Sequence, residues 1–514
     1  MQRIFFFAFF LLTTSFVFAQ TAFQKTLDLG QDDEFLCGIP TADGGYLAAG
    51  YSTGVPFGGL AVKMNSLGTV QWARTVGGSR IVQAAETGWG AFYMAGVNTI
   101  SSNTNFYLTK VDPNGNVLWS KTYGKTSEPD ELRSLAVTPD GGLLLSGYAD
   151  TVNGAGFRPI AYVVKTDSNG VLQWSRYIGG GNGEEFYAAK PVSGGGYLCC
   201  GYTGSYGSPV GTESYAVKLD SAGNIVWAKV FGHSNRFDRI YDFTEDPGVG
   251  FYVTGQALYS ATTDNLFIAK LDTAGNFIWQ KNLQEYNGGL SIVLTQDHQL
   301  VVGGYFISQA LGLYNDSYLL KADTSGNVIW SLELGAPNVD DKLYSVKETP
   351  DAGFFITGST YNTGNARSSW YLKTDAAGHS GCRDSVVTIP VTMLVIATTS
   401  GGNAAPVFYF ANSSAAQLNA VMTPVVFCQG PTGVEEETLA DFAVYPNPAG
   451  SAFTLSLPDK QCTVSIFDSM GNLVETRENV SGKTEFSSEN WPAGLYFVRV
   501  TGENYSATKM LLHE

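Results

Sequence analysis

The amino-acid sequence predicts an all-β protein, and three observations carry the prediction. A unit of about 50 residues recurs along most of the chain, each unit holds four short β-patterned runs, and the composition is poor in charge and rich in glycine and aromatics. Of 514 residues 60 are Gly, 27 Tyr, 31 Phe and 9 Trp, while Asp, Glu, Lys and Arg together reach only 15%. Coiled coils and helical bundles need more Ala, Glu, Lys and Leu, and disordered chains need more charge and fewer aromatics, so both are excluded. The net charge of −16 argues against a surface that tracks phosphates, and no nucleic-acid partner is expected.

The chain opens with Met1-Gln2-Arg3 and a largely apolar run over residues 4–19, too short for a typical membrane span and ending in Val17-Phe18-Ala19. Residues 1–19 read as a cleaved secretory signal peptide. The mature chain then meets an oxidising compartment, where its six cysteines can pair. A disulfide between Cys382 and Cys428 would clip a 45-residue loop lacking a core of its own.

The repeat occupies residues 20–379. Lys63-x-Asn65-x-x-Gly68-x-x-x-Trp72 returns at Lys110 to Trp119, Lys165 to Trp174, Lys218 to Trp227, Lys270 to Trp279 and Lys321 to Trp330; a seventh copy begins at Lys373-x-Asp375-x-x-Gly378 and lacks its Trp. Within the unit around residues 131–181, runs at 132–137, 143–148, 161–166 and 171–178 are divided by Pro139-Asp140-Gly141-Gly142, a polar loop and Asp167-Ser168-Asn169-Gly170. The Asp opens a turn by accepting backbone N–H groups, and the Gly supplies the left-handed residue that returns the chain as a hairpin. Four strands per 50-residue period predict the blades of a β-propeller, seven in number. Phe23-Gln24-Lys25-Thr26 matches Trp119-Ser120-Lys121-Thr122 and stands 49 residues before Trp72, so the N-terminal strand is expected to complete the seventh blade and close the ring.

Positions shared by all seven copies are architectural, so function is sought where the copies differ. The loops between second and third strands (52–59, 97–105, 149–160, 203–214, 257–265, 306–317 and 359–369) vary most and share one face. Tyr206, Tyr259, Tyr314 and Tyr361 lie there and are the candidate contacts for an extracellular protein or glycan.

No catalytic or metal-binding constellation is readable, and no cofactor is expected. Gly50-Tyr51-Ser52-Thr53-Gly54 fits a nucleophile elbow by pattern, but the same place in other units is a strand end. The four His lack ligand spacing, and Asp112-Pro113-Asn114-Gly115-Asn116 would carry Tyr123 where a calcium loop needs Glu. An enzymatic alternative, a glycoside hydrolase or lyase, would draw its acids from Glu131, Glu184, Asp238 and Asp341. The Asp-x-x-Gly-x-x-x-Trp repeat also resembles that of quinoprotein dehydrogenases, whose adjacent-cysteine disulfide Cys199-Cys200 could supply; those enzymes have eight blades, and adjacent strand residues face opposite ways. A similar hairpin, the Asp-box, occurs in sialidases, but their arginine cluster cannot be assigned among the Arg of this chain.

After Gly378 the period ends. Residues 380–430 are apolar and β-branched and read as a β-rich insert or an extension of the propeller; residues 431–441 form an acidic linker. Tyr445-Pro446-Asn447-Pro448 then opens a module over 442–514 with alternating strands and the sequence Pro492-Ala493-Gly494-Leu495-Tyr496, the pattern of a small β-sandwich. These residues resemble the type A C-terminal sorting domain of substrates of the bacterial type IX secretion system, with Tyr445, Pro446, Asn447, Pro448, Gly494 and Tyr496 as its motif. The resemblance implies a secreted or outer-surface protein. It also implies recognition by the type IX translocon, then removal of the domain with release of the cargo or attachment to surface lipopolysaccharide.

Overall fold

The structure, a computed structural model, describes residues 22–381 except 30, 55–56, 89, 101–102, 125–128, 151–157, 208–210, 233–236, 259–263, 284–287, 309–313, 336–338 and 362–365; the short strands between 384 and 429; and residues 442–513 except 458–460, 469–472 and 502–505. The signal-peptide segment and the linker thus lie outside the described residues, as does Cys382, and of Cys428 only the backbone is described.

The described residues form β-sheets. Sheet 1 comprises Asp33–Pro40, Tyr46–Ser52, Gly58–Met64 and Val70–Thr75 in antiparallel order. Sheets 2 to 6 repeat the pattern, beginning with Arg80–Glu86, Asp130–Val137, Glu184–Pro191, Asp238–Asp246 and Gly288–Leu294. Sheet 7 comprises Asp341–Glu348, Phe354–Tyr361 and Arg367–Lys373, and its fourth strand is Phe23–Leu27, with Phe23 opposite Lys373 and Leu27 opposite Ser369.

Each sheet is buried on both faces, which explains why its middle strands run almost continuously apolar. Leu144, Val163 and Ile178 of sheet 3 meet Phe186, Cys199 and Val217 of sheet 4, and the other face of sheet 4 offers Leu198, Cys200 and Ala216 to Ile240, Val253 and Phe267 of sheet 5. Phe23, Phe355 and Tyr371 of sheet 7 pack with Phe35, Ala48 and Leu60 of sheet 1.

A second contact joins successive sheets. The Gly of each Asp-x-x-Gly turn lies beneath the aromatic ring at the end of the preceding sheet: Gly68 under Phe23, Gly115 under Trp72, Gly170 under Trp119, Gly223 under Trp174, Gly275 under Trp227, Gly326 under Trp279 and Gly378 under Trp330. A Cβ at any of them would sit 2.5–3.0 Å from ring atoms. Trp72 and Trp174 also donate from Nε1 to the carbonyls of Pro113 and Ser221 within those turns.

Residues 384–429 lay short fifth strands along the outer edges in reverse order of the sheets. Asp384–Val386 pairs with sheet 6, Val391–Met393 with sheet 5, Ala397–Ser400 with sheet 4, Ala404–Pro406 with sheet 3 and Ala411–Asn412 with sheet 2. Val425–Gln429 then pairs with Phe23–Leu27 of sheet 7. Covering an edge strand removes a template for intermolecular pairing.

Residues 432–514 form a separate compact unit. One sheet holds Ala443–Tyr445, Ala452–Ser456 and Lys483–Ser487; the other holds Cys462–Asp468, Leu473–Val480, Gly494–Thr501 and Ser506–His513. Phe453, Leu455, Phe486, Val464, Ile466 and Val498 fill the space between them.

The ring-on-glycine contact makes a sharp comparison possible. Gly115 and Gly141 both have positive φ (79° and 77°), but a Cβ at Gly141 meets nothing within 4 Å. Gly141→Ala is expected to cost only backbone strain, about 1 to 2 kcal/mol, and Gly115→Ala, which also displaces Trp72, about 2 to 4 kcal/mol. Urea denaturation measures both, and equal losses would remove the contact from the account.

Candidate functional site

The repeated polar residues hold the sheets. Lys63 Nζ pairs with Asp43 of the turn between first and second strands (2.8 Å) and also donates to Met64 O and Gln71 Oε1. Lys165, Lys321 and Lys373 repeat the pairing with Asp140, Asp297 and Asp351. In sheets 2 and 5 the equivalent Lys110 and Lys270 lie over the rings of Tyr93 and Tyr252, and in sheet 4 Lys218 donates to Gly195 O. Burial opposes ionisation of Asp43, but hydrogen bonds from Lys63, Thr41 and Gly45 outweigh it and hold the carboxyl at about 2. Asp112 Oδ1 accepts the N–H groups of Asn114 and Asn116 (2.9 and 2.8 Å), which is the hairpin role of that loop.

Buried acids at the first residue of the first strands hold the connections between sheets. Asp33 Oδ2 accepts the Leu29 N–H (2.7 Å), and Glu184 accepts the Gly181 N–H (3.0 Å) and the Thr203 hydroxyl (3.1 Å). Asp238 and Asp341 occupy the same register position and are buried.

One residue further along, the sheets differ. Register-equivalent positions hold Glu34, Arg80, Glu131, Glu185, Arg239, Gly288 and Lys342, facing across the strand pair Tyr51, Val97, Tyr148, Tyr202, Gln256, Tyr305 and Ser359. Every first strand then bulges, which inserts Arg133, Tyr187, Tyr241 and Tyr344 at the extra position of sheets 3, 4, 5 and 7. First strands of successive sheets pack side by side, so these groups meet.

The result is a connected network at the end of the first strands that bears the variable loops. Arg80 pairs with Glu131, and Arg133 with Glu131 (3.7 Å) and Glu185 (2.5 Å). The Arg133 guanidinium lies over Tyr187 (5.5 Å), which meets Tyr241 edge-on at 4.8 Å, and Tyr241 donates to Gln256 Oε1 (2.6 Å). Arg239 lies over Tyr202 (4.9 Å), and Lys342 over Tyr305 (5.3 Å). Arg367 pairs with Glu34 and donates from Nε to the Tyr361 hydroxyl (3.0 Å). Burial, with Glu34 beside it, pushes the Tyr51 phenol up to about 12. Burial, with Glu185 beside it, also raises Tyr187.

Of the candidate tyrosines, Tyr361 joins this network. Tyr206 is half-buried against Tyr215 (6.0 Å) in the core between sheets 3 and 4. Tyr259 lies outside the described residues, as does the side chain of Tyr314. Glu131 is ion-paired, while Glu184, Asp238 and Asp341 stand at the buried strand starts. The charged positions next to the repeated acid escape a search confined to loops; their signal is variation inside an otherwise repeated strand.

Cys199 and Cys200 are free and buried, and each belongs to a different inter-sheet core, so the adjacent pair forms no disulfide. Among the described residues no group of three or more His, Cys, Asp or Glu could hold a metal.

In the C-terminal unit the Asn447 side chain acts as a surrogate strand: Nδ2 donates to Met510 O and Oδ1 accepts the Leu512 N–H, both at 2.9 Å. The peptide bonds before Pro446 and Pro448 are cis, and Tyr445 is 41% exposed. Tyr496 is buried, packs on Trp491 (4.8 Å) and donates to Pro492 O (2.7 Å); Gly494 begins the same strand.

Residues 443–514 match the family model of the secretion system C-terminal sorting domain. No curated protein matches the chain. Among solved structures, PorZ of Porphyromonas gingivalis, described as an essential bacterial surface component of the type IX secretion system, is 11% identical over 95% of this chain and 75% of its own, with a TM-score of 0.28. Sqt1 of Chaetomium thermophilum is 13% identical over 84% and 96%, with a TM-score of 0.33. The chain carries a type IX sorting domain and is therefore exported, to the cell surface or beyond.

Burial, offset by hydrogen bonds from Ser52 and Leu29, pushes the Asp33 carboxyl up to about 6. Between roughly pH 4 and 6 the folded chain keeps a proton that the unfolded chain has released, so this group favours folding at low pH and that contribution is lost as pH rises through 6. Between pH 5 and 7 Asp33→Asn should gain about 1 kcal/mol relative to the parent chain. Unfolding free energies at the two pH values check this, and a gap independent of pH would refute it.

Proposed function

We propose that the seven sheets are the blades of a closed propeller that binds an extracellular protein or polysaccharide through its variable-loop face and performs no catalysis. Closure is supported by the packing of sheet 7 on sheet 1, by Phe23 lying over Gly68 and by Phe23–Leu27 serving as the fourth strand of sheet 7. The binding role rests on one observation: seven equivalent positions, Glu34 to Lys342, differ in charge and size on a scaffold whose remaining motif residues repeat. Their surroundings of Tyr and Arg suit recognition, since both supply large amphipathic contact area at modest entropic cost. Polysaccharides, with polar edges and apolar ring faces, are well matched to such a surface.

The C-terminal unit acts as a type A address, read by the outer-membrane translocon and then removed, with the propeller released or attached to surface lipopolysaccharide. Tyr445, exposed at the mouth of the motif, is the side chain offered for recognition, and Asn447 holds the motif on the last strand.

Deletion of residues 441–514 should leave the protein in the periplasm; unaltered secretion would sink the address. Tyr445→Ala should lower export several-fold with the unit still folded, as judged by its thermal transition. The mature protein on a glycan array and in pull-downs with surface extracts should retain a partner, and failure on both would remove the binding function.

A further inference from the structure

The cations of the variable network are unequally satisfied. Arg80, Arg133 and Arg367 each pair with a glutamate. Among the described residues no carboxylate pairs with Arg239, whose guanidinium sits amid Tyr187, Tyr202 and Tyr241, or with Lys342, whose amine lies over Tyr305. Both are partly exposed. They stand on sheets 5 and 7, and on the intervening sheet 6 the equivalent residue is Gly288, which offers no side chain between them. The described atoms nearest to a Cβ there belong to Tyr241 and Gln256, at 3.4 to 3.9 Å, which is ordinary van der Waals contact. Deeper along the first strands, Lys190 of sheet 4 and Lys347 of sheet 7 face Asp242 of sheet 5.

We propose that the notch at Gly288, flanked by Arg239 and Lys342, receives the anionic group of an acidic saccharide, with Tyr202, Tyr241 and Tyr305 beside it. The inference rests on the binding function above and names the ligand's chemistry. Arg239 gives one hydrogen bond to the Tyr241 side chain, and the remaining N–H donors of a guanidinium fork match the two oxygens of a carboxylate or sulfate. Arg80, Arg133 and Arg367 are already held by glutamates.

The test uses the mature chain from Gln20 with polygalacturonate, its methyl ester, dextran sulfate and neutral dextran, by calorimetry at two salt concentrations. Binding to one or both anionic polymers is expected, weakened by salt and at least about tenfold tighter than to the neutral counterpart. Which anionic polymer binds tells carboxylate from sulfate. R239Q/K342Q and Gly288→Glu should each lose about tenfold or more, whereas Gly288→Ala stays within about twofold. Unchanged thermal midpoints of the variants certify folding; should the double variant unfold, the Gly288 pair carries the test. Equal affinity for charged and neutral polymers, or anionic binding indifferent to both R239Q/K342Q and Gly288→Glu, overturns the notch and leaves the binding function standing. Binding to none of the polymers, combined with a partner found only among proteins, overturns the saccharide assignment as well.

Discussion

The architecture depends on an aromatic ring seated on a glycine of the next sheet. That contact fixes several features of the repeat together. The glycine must lie under the ring, so no side chain is admitted; it must have positive φ, so it closes an Asp-capped turn; and the ring must leave its own sheet at one constant place. Each Lys-x-Asp-x-x-Gly-x-x-x-Trp sequence therefore carries halves of two successive joints, its Gly under the ring of the sheet before and its Trp over the Gly of the sheet after, and Phe23 over Gly68 makes the same joint with a smaller ring.

With the joints accounted for, the remaining polar residues divide by what they touch. Lys63 and its equivalents tie the third strand to a turn of their own sheet, and Asp33 and Glu184 tie a first strand to the incoming connection. These groups are buried and bonded within the scaffold. The residues following the acids vary, and the bulge beside them aims further side chains at the same place. A scaffold whose sheets are all held alike can vary one position per sheet with little cost, which is how unlike charges come to share one surface.

The sequence is most legible where structure repeats. The period, the turn chemistry and the match of Phe23 to the Trp position together lead to the observed partner of the N-terminal strand, because hairpins are local and seven copies average out the noise of any one. The network is less legible, since Arg239 and Lys342 look like ordinary exposed strand residues until neighbouring sheets bring them beside Gly288. Tyr206 shows the converse: on a variable loop by sequence, it packs on Tyr215. The strands of 384–429 are harder still, for pieces of two to five residues carry no pattern that names the sheet each will join.

Those outer strands bear on the order of events in making the protein. Phe23–Leu27 lies between Arg367–Lys373 and Val425–Gln429, so the first described strand finds both its neighbours roughly 350 to 400 residues later. Sheet 7 cannot be completed during synthesis until nearly all of the chain has emerged. The strands of 384–412, running back from sheet 6 to sheet 2, have nothing to pair with until those sheets exist. The topology thus postpones its own completion, and a chain that must cross membranes before it works keeps its ends unfastened until late.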